Sequence, residues 1–169
     1  MKVRIVFILA MIVLASCKSD KERMAERLIE KVNAIGMANF NHVEYAVVGE
    51  MEQYNYLQHD TVVTRWTYNR LRSDFEGIDA RQLEKLLLAK EYPDSLRNRI
   101  HRLGISALTQ SQLNGNVRRF WVNDAEMIIW RNPALKPDKN TVLIDEELGA
   151  MMKINDEWYY HRMNVCRNK

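Results

Sequence analysis

The chain is poor in the residues that mark common catalytic and cofactor sites. Its 169 residues include six glycines, three prolines, two cysteines and four histidines. The glycines stand at 36, 49, 77, 104, 115 and 149. No two are close enough for a phosphate-cradling loop or a G-x-S-x-G nucleophile elbow, whose backbones need glycines within a few residues of one another. His42, His59, His101 and His161 are scattered, with no H-E-x-x-H and no two at i, i+3 or i+4. The spacing that would set two imidazoles on one helix face for zinc is therefore missing. The acidic clusters Asp145-Glu146-Glu147 and Asp156-Glu157 follow no EF-hand pattern and read as solvated turns or strand ends. Neither a metal nor a cofactor is expected. An acid–base pair would have to be assembled by folding, from a carboxylate and His59 or His161.

Long apolar runs are scarce as well. Ile5 to Val13 is unbroken and no charge precedes Lys18 after it, yet a membrane-spanning helix needs roughly 20 such residues. Lys2 and Arg4 in front of the run, and small residues behind it, give the order of a secretory leader.

The residues that end this run, Leu14, Ala15, Ser16 and Cys17, resemble the lipobox of bacterial lipoproteins, an aliphatic residue and two small ones ahead of a cysteine. The resemblance covers the leader alone. It implies that 1–16 is a signal peptide, that cleavage precedes Cys17, and that Cys17 carries a thioether-linked diacylglycerol and an acylated amine. More than one acyl chain anchors stably, because each buried CH₂ contributes about 0.8 kcal/mol. Lys18, where an aspartate would favour retention, implies sorting to the outer membrane of a Gram-negative bacterium, with the periplasmic side expected. The mixed charges of Lys18 to Glu22 do not make the acidic signal that some groups use for export to the cell surface. With Cys17 lipidated, Cys166 has no partner in the chain, which excludes an intramolecular disulfide and a cysteine metal cluster. It reads as an incidental thiol in the tail.

Taking the 16 leader residues from 169 leaves 153 for the mature chain, residues 17–169, enough for one domain with a core. Two of the 25 basic residues fall in the leader, leaving 23 against 22 acidic. Such a balance gives no basic field for nucleic acid.

Periodicity predicts helices first and strands later. Ser19 and Glu22 have capping-box spacing ahead of Ala25, Leu28, Ile29, Val32 and Ile35, which recur on one helical face. Only Lys18 and Ser19 separate this helix from the lipid. Val43, Val47, Met51 and Tyr54 fit a helix face and favour helix for the first part, whereas Val62, Thr64, Trp66 and Tyr68 alternate like a strand, so the period of 43–71 stays open. Asp79 with Gln82 predicts a helix burying Leu83, Leu86 and Leu87 and ending at Tyr92-Pro93. A second runs from about Ser95 to Leu103 and stops at Gly104; its Arg97, Arg99, His101 and Arg102 read as a solvated basic face near a favourable dipole. Val117–Val122 and Glu126–Arg131 read as a hairpin around Asn123-Asp124-Ala125, followed by strand material at 142–144, 148–154 and 158–163. The expectation is an α+β fold: N-terminal helices over about 19–104, then a C-terminal antiparallel meander over about 117–163 packed against them.

The last hairpin, Met151 to Tyr160, is similar to the closing strands of cystatin-like and NTF2-like α+β domains, although its turn lacks their glycine. Those folds host enzymes and binders alike. A two-residue turn at Asn155-Asp156 would pair Lys153 with Trp158 and Met152 with Tyr159. One face would then carry Met151, Lys153, Trp158, Tyr160 and Arg162, and the other Met152, Ile154, Tyr159, His161 and Met163. The second is the more apolar and is assigned to the core. Lys153, Trp158, Tyr160 and Arg162 mix rings with cations, the composition of a recognition surface. The functional expectation is a membrane-anchored envelope lipoprotein acting as a non-catalytic binding or accessory module for a protein, peptide or glycan. The alternatives are a small lipoprotein hydrolase with its site in a curved sheet, or an envelope inhibitor or immunity protein.

Overall fold

A computed structural model describes residues 19–58, 61–110, 117–134 and 148–163. The leader, Cys17, His59, the expected strand at 142–144 and Cys166 lie outside the described residues. Its elements, in order, are α1 (Asp20–Ile35), a short 3₁₀ turn (Met37–Phe40), β1 (Val43–Val48), β2 (Met51–Gln58), β3 (Thr61–Asn69), β4 (Asp74–Glu76), α2 (Ala80–Lys85), α3 (Tyr92–Leu103), β5 (Ala107–Gln110), β6 (Val117–Asn123), β7 (Glu126–Arg131), β8 (Met152–Lys153) and β9 (Trp158–Arg162). The strands form one sheet in the order β4-β3-β2-β1-β5-β6-β7-β9-β8, and every neighbouring pair is antiparallel. The α+β class holds. The expected division into a helical first half and a β second half does not, since strands begin at Val43 and α2 and α3 lie between β4 and β5.

Residues 43–54 are the main correction, because they form two strands rather than a helix. Val48 pairs with Met51 across Gly49 and Glu50, and Gly49 has φ +59. That positive φ is what a two-residue hairpin turn demands, and glycine meets it without steric cost. The four-residue spacing of Val43, Val47 and Met51 was coincidental. Within each strand burial alternates: Val43 and Tyr45 are buried on β1, and Glu52, Tyr54 and Tyr56 on β2. β3 continues the pattern with Thr64 and Trp66, which resolves the open segment as strand.

The inward residues of the sheet meet α1 and α3. Ala25, Leu28, Ile29 and Val32 of α1 and Leu96, Ile100 and Leu103 of α3 share one core with Tyr45, Tyr54, Trp66, Phe120, Ile128, Trp158 and Tyr160. α1 and α3 are each held at one end by the predicted device, whereas the capping box expected at Asp79 and Gln82 does not form: Asp79 Oδ1 accepts from the Arg81 amide and the Gln82 side chain donates to the Val63 carbonyl. Ser19 Oγ accepts from the Glu22 amide while Glu22 Oε2 accepts from the Ser19 amide at 2.7 Å, the complete capping box. Gly104 closes α3 in the left-handed region at φ +70. Pro93 begins α3 instead of ending the helix before it, since its missing N–H is unneeded in a first turn. The helix before it is only six residues long and stops at Leu87, which has φ +56 and is 94 % exposed rather than buried.

β6 and β7 are also covered on the far face. Val117, Met127, Ile129 and Leu148 form a small second core there, edged by Trp121, Met151 and Tyr159. Met127, Ile128 and Ile129 are thus all buried, the mark of a strand with both faces packed. Leu148 reaches this cluster from a helical turn, where sequence periodicity suggested strand.

Candidate functional site

The face proposed around Trp158 does not exist as drawn. Met152 pairs with Tyr160 and Lys153 with Tyr159, and the amide of Ile154 donates to the Trp158 carbonyl at 2.9 Å. The loop therefore has three residues, Asn155 to Glu157, rather than two. Asn155 is the cause: its Oδ1 accepts from the amides of Glu157 and Trp158 at 2.9 and 3.0 Å, consuming one more residue in the turn. A one-residue slip moves every side chain of one strand to the opposite face. Trp158 and Tyr160 are accordingly 3 % and 4 % exposed and belong to the main core with Met152 and Ile154, while Tyr159 lies on the far side. Lys153 remains exposed, paired with Asp156 at 2.8 Å. Arg162 stays near the surface, 4.0 Å from Glu126. The structure does not bring the four together on one surface. Tyr160 has a polar role in the core, since its hydroxyl donates to Glu126 Oε1 at 2.7 Å. Burial and this bond push the phenol up to about 12, and the same bond holds Glu126 below the usual carboxylate range.

Among the described residues, charge also converges at a buried position that periodicity did not mark. Glu52 occupies an inward position of β2, where alternation calls for an apolar residue, and its side chain is fully buried. It is matched from four directions. Tyr54 donates its hydroxyl to Oε2 at 2.7 Å, and Arg97 Nε reaches the same oxygen at 2.9 Å. Arg70 Nε lies 3.1 Å from Oε1, and His101 Nε2 lies 3.0 Å from it. Arg97 and His101 are one turn apart on α3, and Arg70 follows β3, so three separate elements converge on one carboxylate. The Arg97 guanidinium also lies 3.6 Å over the Tyr68 ring, a cation–π contact that fixes its plane.

Burial by itself would raise the Glu52 carboxyl. The hydrogen bonds from Tyr54, Arg97, Arg70 and His101 outweigh it and hold the group at about 2. Tyr54 moves the other way, its phenol raised by burial and by the adjacent carboxylate. Glu52 is therefore a fixed anion at neutral pH, unsuited to exchanging protons with a substrate. Periodicity marked Arg97 and His101 as a solvated face. The available signal was Glu52 itself, a charge between Met51 and Gln53 in a run where Tyr54 and Tyr56 follow at strand spacing.

A second feature lies beside α1. Met24 and Leu28 of α1 face Leu103, Ile105 and Val122 across a groove of about 400 Å³. Arg23, Arg27 and Lys31 stand along its rim at four-residue intervals, and Asp20 stands at its near end. All three cations are exposed. Lys31 Nζ also donates to the Leu103 carbonyl at 3.4 Å, tying α1 to the end of α3. Leu28, Leu103 and Ile105 are each less than a tenth exposed, so the floor is built from core residues rather than from loose surface chains.

Of the two histidines proposed for acid–base work, His59 lies outside the described residues. His161 pairs across the sheet with Met127, on the far face. Among the described residues no three of His, Cys, Asp and Glu come together as a metal site, and no helix is long and apolar enough to cross a membrane. No protein-family model, curated protein or solved structure matches the chain.

Proposed function

We propose that the chain is a lipoprotein anchored through Cys17, and that its domain serves as a non-catalytic binding or accessory module at an envelope membrane. The observation that carries this is the run Leu14-Ala15-Ser16-Cys17 at the end of an apolar leader. The local structure downstream supports it. α1 is capped at Ser19, so only Lys18 stands between the cysteine and a rigid helix. A domain attached this closely works at the membrane surface rather than at the end of a tether. Lys18 favours the outer membrane, facing the periplasm, as its site. The binding reading, rather than a hydrolase, is supported by the chemistry of Glu52. Its contact with His101 is the histidine–carboxylate pair of the described residues, and its oxygens are already occupied by two arginines and a tyrosine. Such a carboxylate joins elements and does not turn over substrate.

The test is metabolic labelling with a fatty-acid probe in a bacterium competent for lipoprotein processing. The wild-type chain should take the label, and Cys17→Ala should abolish it. A wild-type chain that stays unlabelled overturns the reading. A pull-down from membranes with the lipidated protein then identifies whether the partner is a protein, peptide or glycan.

A further inference from the structure

The groove beside α1 combines an apolar floor with a row of cations, and the chain reaches it directly from Cys17. Cys17 lies two residues before the N-cap Ser19, a separation of at most about 7 Å of extended chain. The near end of the groove, at Asp20 and Arg23, begins within the first turn of α1. Arg23, Arg27 and Lys31 rise about 6 Å from one to the next, so the row extends along the helix for about 12 Å. Glu22, Glu26 and Glu30 repeat with the same spacing one position earlier, which turns them to the other flank of the helix. The helix is thus neutral along its length and polarised across it.

We propose that this groove receives the headgroup of an anionic phospholipid of the membrane in which Cys17 is anchored, laying α1 along the bilayer surface with its basic flank down. The inference rests on the lipoprotein reading for its geometry. A phosphodiester on the rim would meet Arg23 and Arg27, whose guanidinium forks suit phosphate oxygens, while glycerol and the first acyl carbons would cover Met24 and Leu28. The three cations against Asp20 leave a surplus of positive charge at the rim, so a zwitterionic headgroup gains less than an anionic one. The glutamates lie about 100° round the helix from the cations, so in this pose they stand beside the bilayer rather than against it, and repulsion opposes the pose that would turn them down.

The experiment is hydrogen exchange on the full chain purified from membranes. The chain is reconstituted into vesicles of phosphatidylcholine, and separately into phosphatidylcholine mixed with phosphatidylglycerol. Peptides covering 20–32 and 103–106 should gain protection in the phosphatidylglycerol vesicles only, and lose it at high salt. Neutralising each arginine, in Arg23→Gln and Arg27→Gln, should weaken this gain about fivefold, as expected for a cation at an anionic surface. The double Arg→Lys variant should keep most of it, which separates loss of charge from loss of fold. Equal protection in both vesicle types, or none in either, overturns the proposal. The mass of the N-terminal peptide reports on the anchor independently. An acylated Cys17 without lipid-selective protection removes the groove proposal and leaves the anchor. An unmodified Cys17 with such protection removes the anchor and leaves the groove.

Discussion

Trp158 and Met152 illustrate how much a single register decides. Trp158 is buried beside Phe120, with ring centroids 5.8 Å apart, whereas Met152 is half-buried on the edge strand. Trp158→Ala is expected to destabilise the fold by about 3–5 kcal/mol, the range for removing a large core aromatic. Met152→Ala should cost less, under about 2 kcal/mol, since its site can relax toward solvent. Urea denaturation of the two variants checks the order. A Trp158→Ala protein that unfolds at the wild-type midpoint would require the two-residue turn after all. Alternation divided this hairpin into two faces but set Trp158 and Tyr160 on the wrong one, because the outcome turned on the side-chain hydrogen bonds of Asn155.

Among the elements, the end of α2 shows a local rule met by an unsuited residue. The amide of Leu87 donates to the Glu84 carbonyl, and the amide of Leu88 to the Leu83 carbonyl, each at 2.9 Å. These are the paired bonds of a Schellman ending, and they place Leu87 at the left-handed position where glycine is usual. A β-carbon there costs about 1–2 kcal/mol, against which glycine's extra freedom in the unfolded chain weighs about 0.5–1 kcal/mol. Leu87→Gly is therefore expected to raise stability by up to about 1 kcal/mol, seen as a higher denaturation midpoint, since the leucine side chain is almost wholly exposed. A lower midpoint would show that the exposed side chain contributes packing after all. This element was read too long in sequence because no glycine or proline marked its end before Pro93. The Ser19 and Gly104 ends were legible because each carries its own chemistry.

The whole molecule is tied together at Glu52, which links β2, the end of β3 and α3. Its carboxyl is depressed in the folded state, from an ordinary 4.5 to about 2. Its contribution is therefore fully present above pH 4.5 and is lost as the pH falls toward 2. The shift corresponds to about 3 kcal/mol. Thermal melts should show the midpoint falling through this window. In Glu52→Gln the acid-dependent fall should be shallower, on a protein already less stable by about 3–5 kcal/mol at pH 7, because Arg97 and Arg70 lose their common partner. An unchanged acid profile in that variant would mean that other carboxylates govern acid unfolding.

The sequence by itself determined what depends on neighbours within a few residues: the capping box at Ser19, the glycine stop at 104, and the hairpin around Asn123-Asp124-Ala125. Each is a set of bonds or a composition that closes locally. The tertiary structure decided which strands lie beside one another, on which side Trp158 and Tyr160 fall, and that Glu52 is buried. Strand pairing joins residues as distant as Tyr45 and Leu108, and the Glu52 cluster draws on positions 52, 70, 97 and 101. No periodicity encodes such meetings, because side-chain alternation specifies two faces without saying which is inward. That choice belongs to the helices that cover the sheet, and the buried charge of Glu52 is tolerated because α3, the end of β3 and β2 itself together bring its partners.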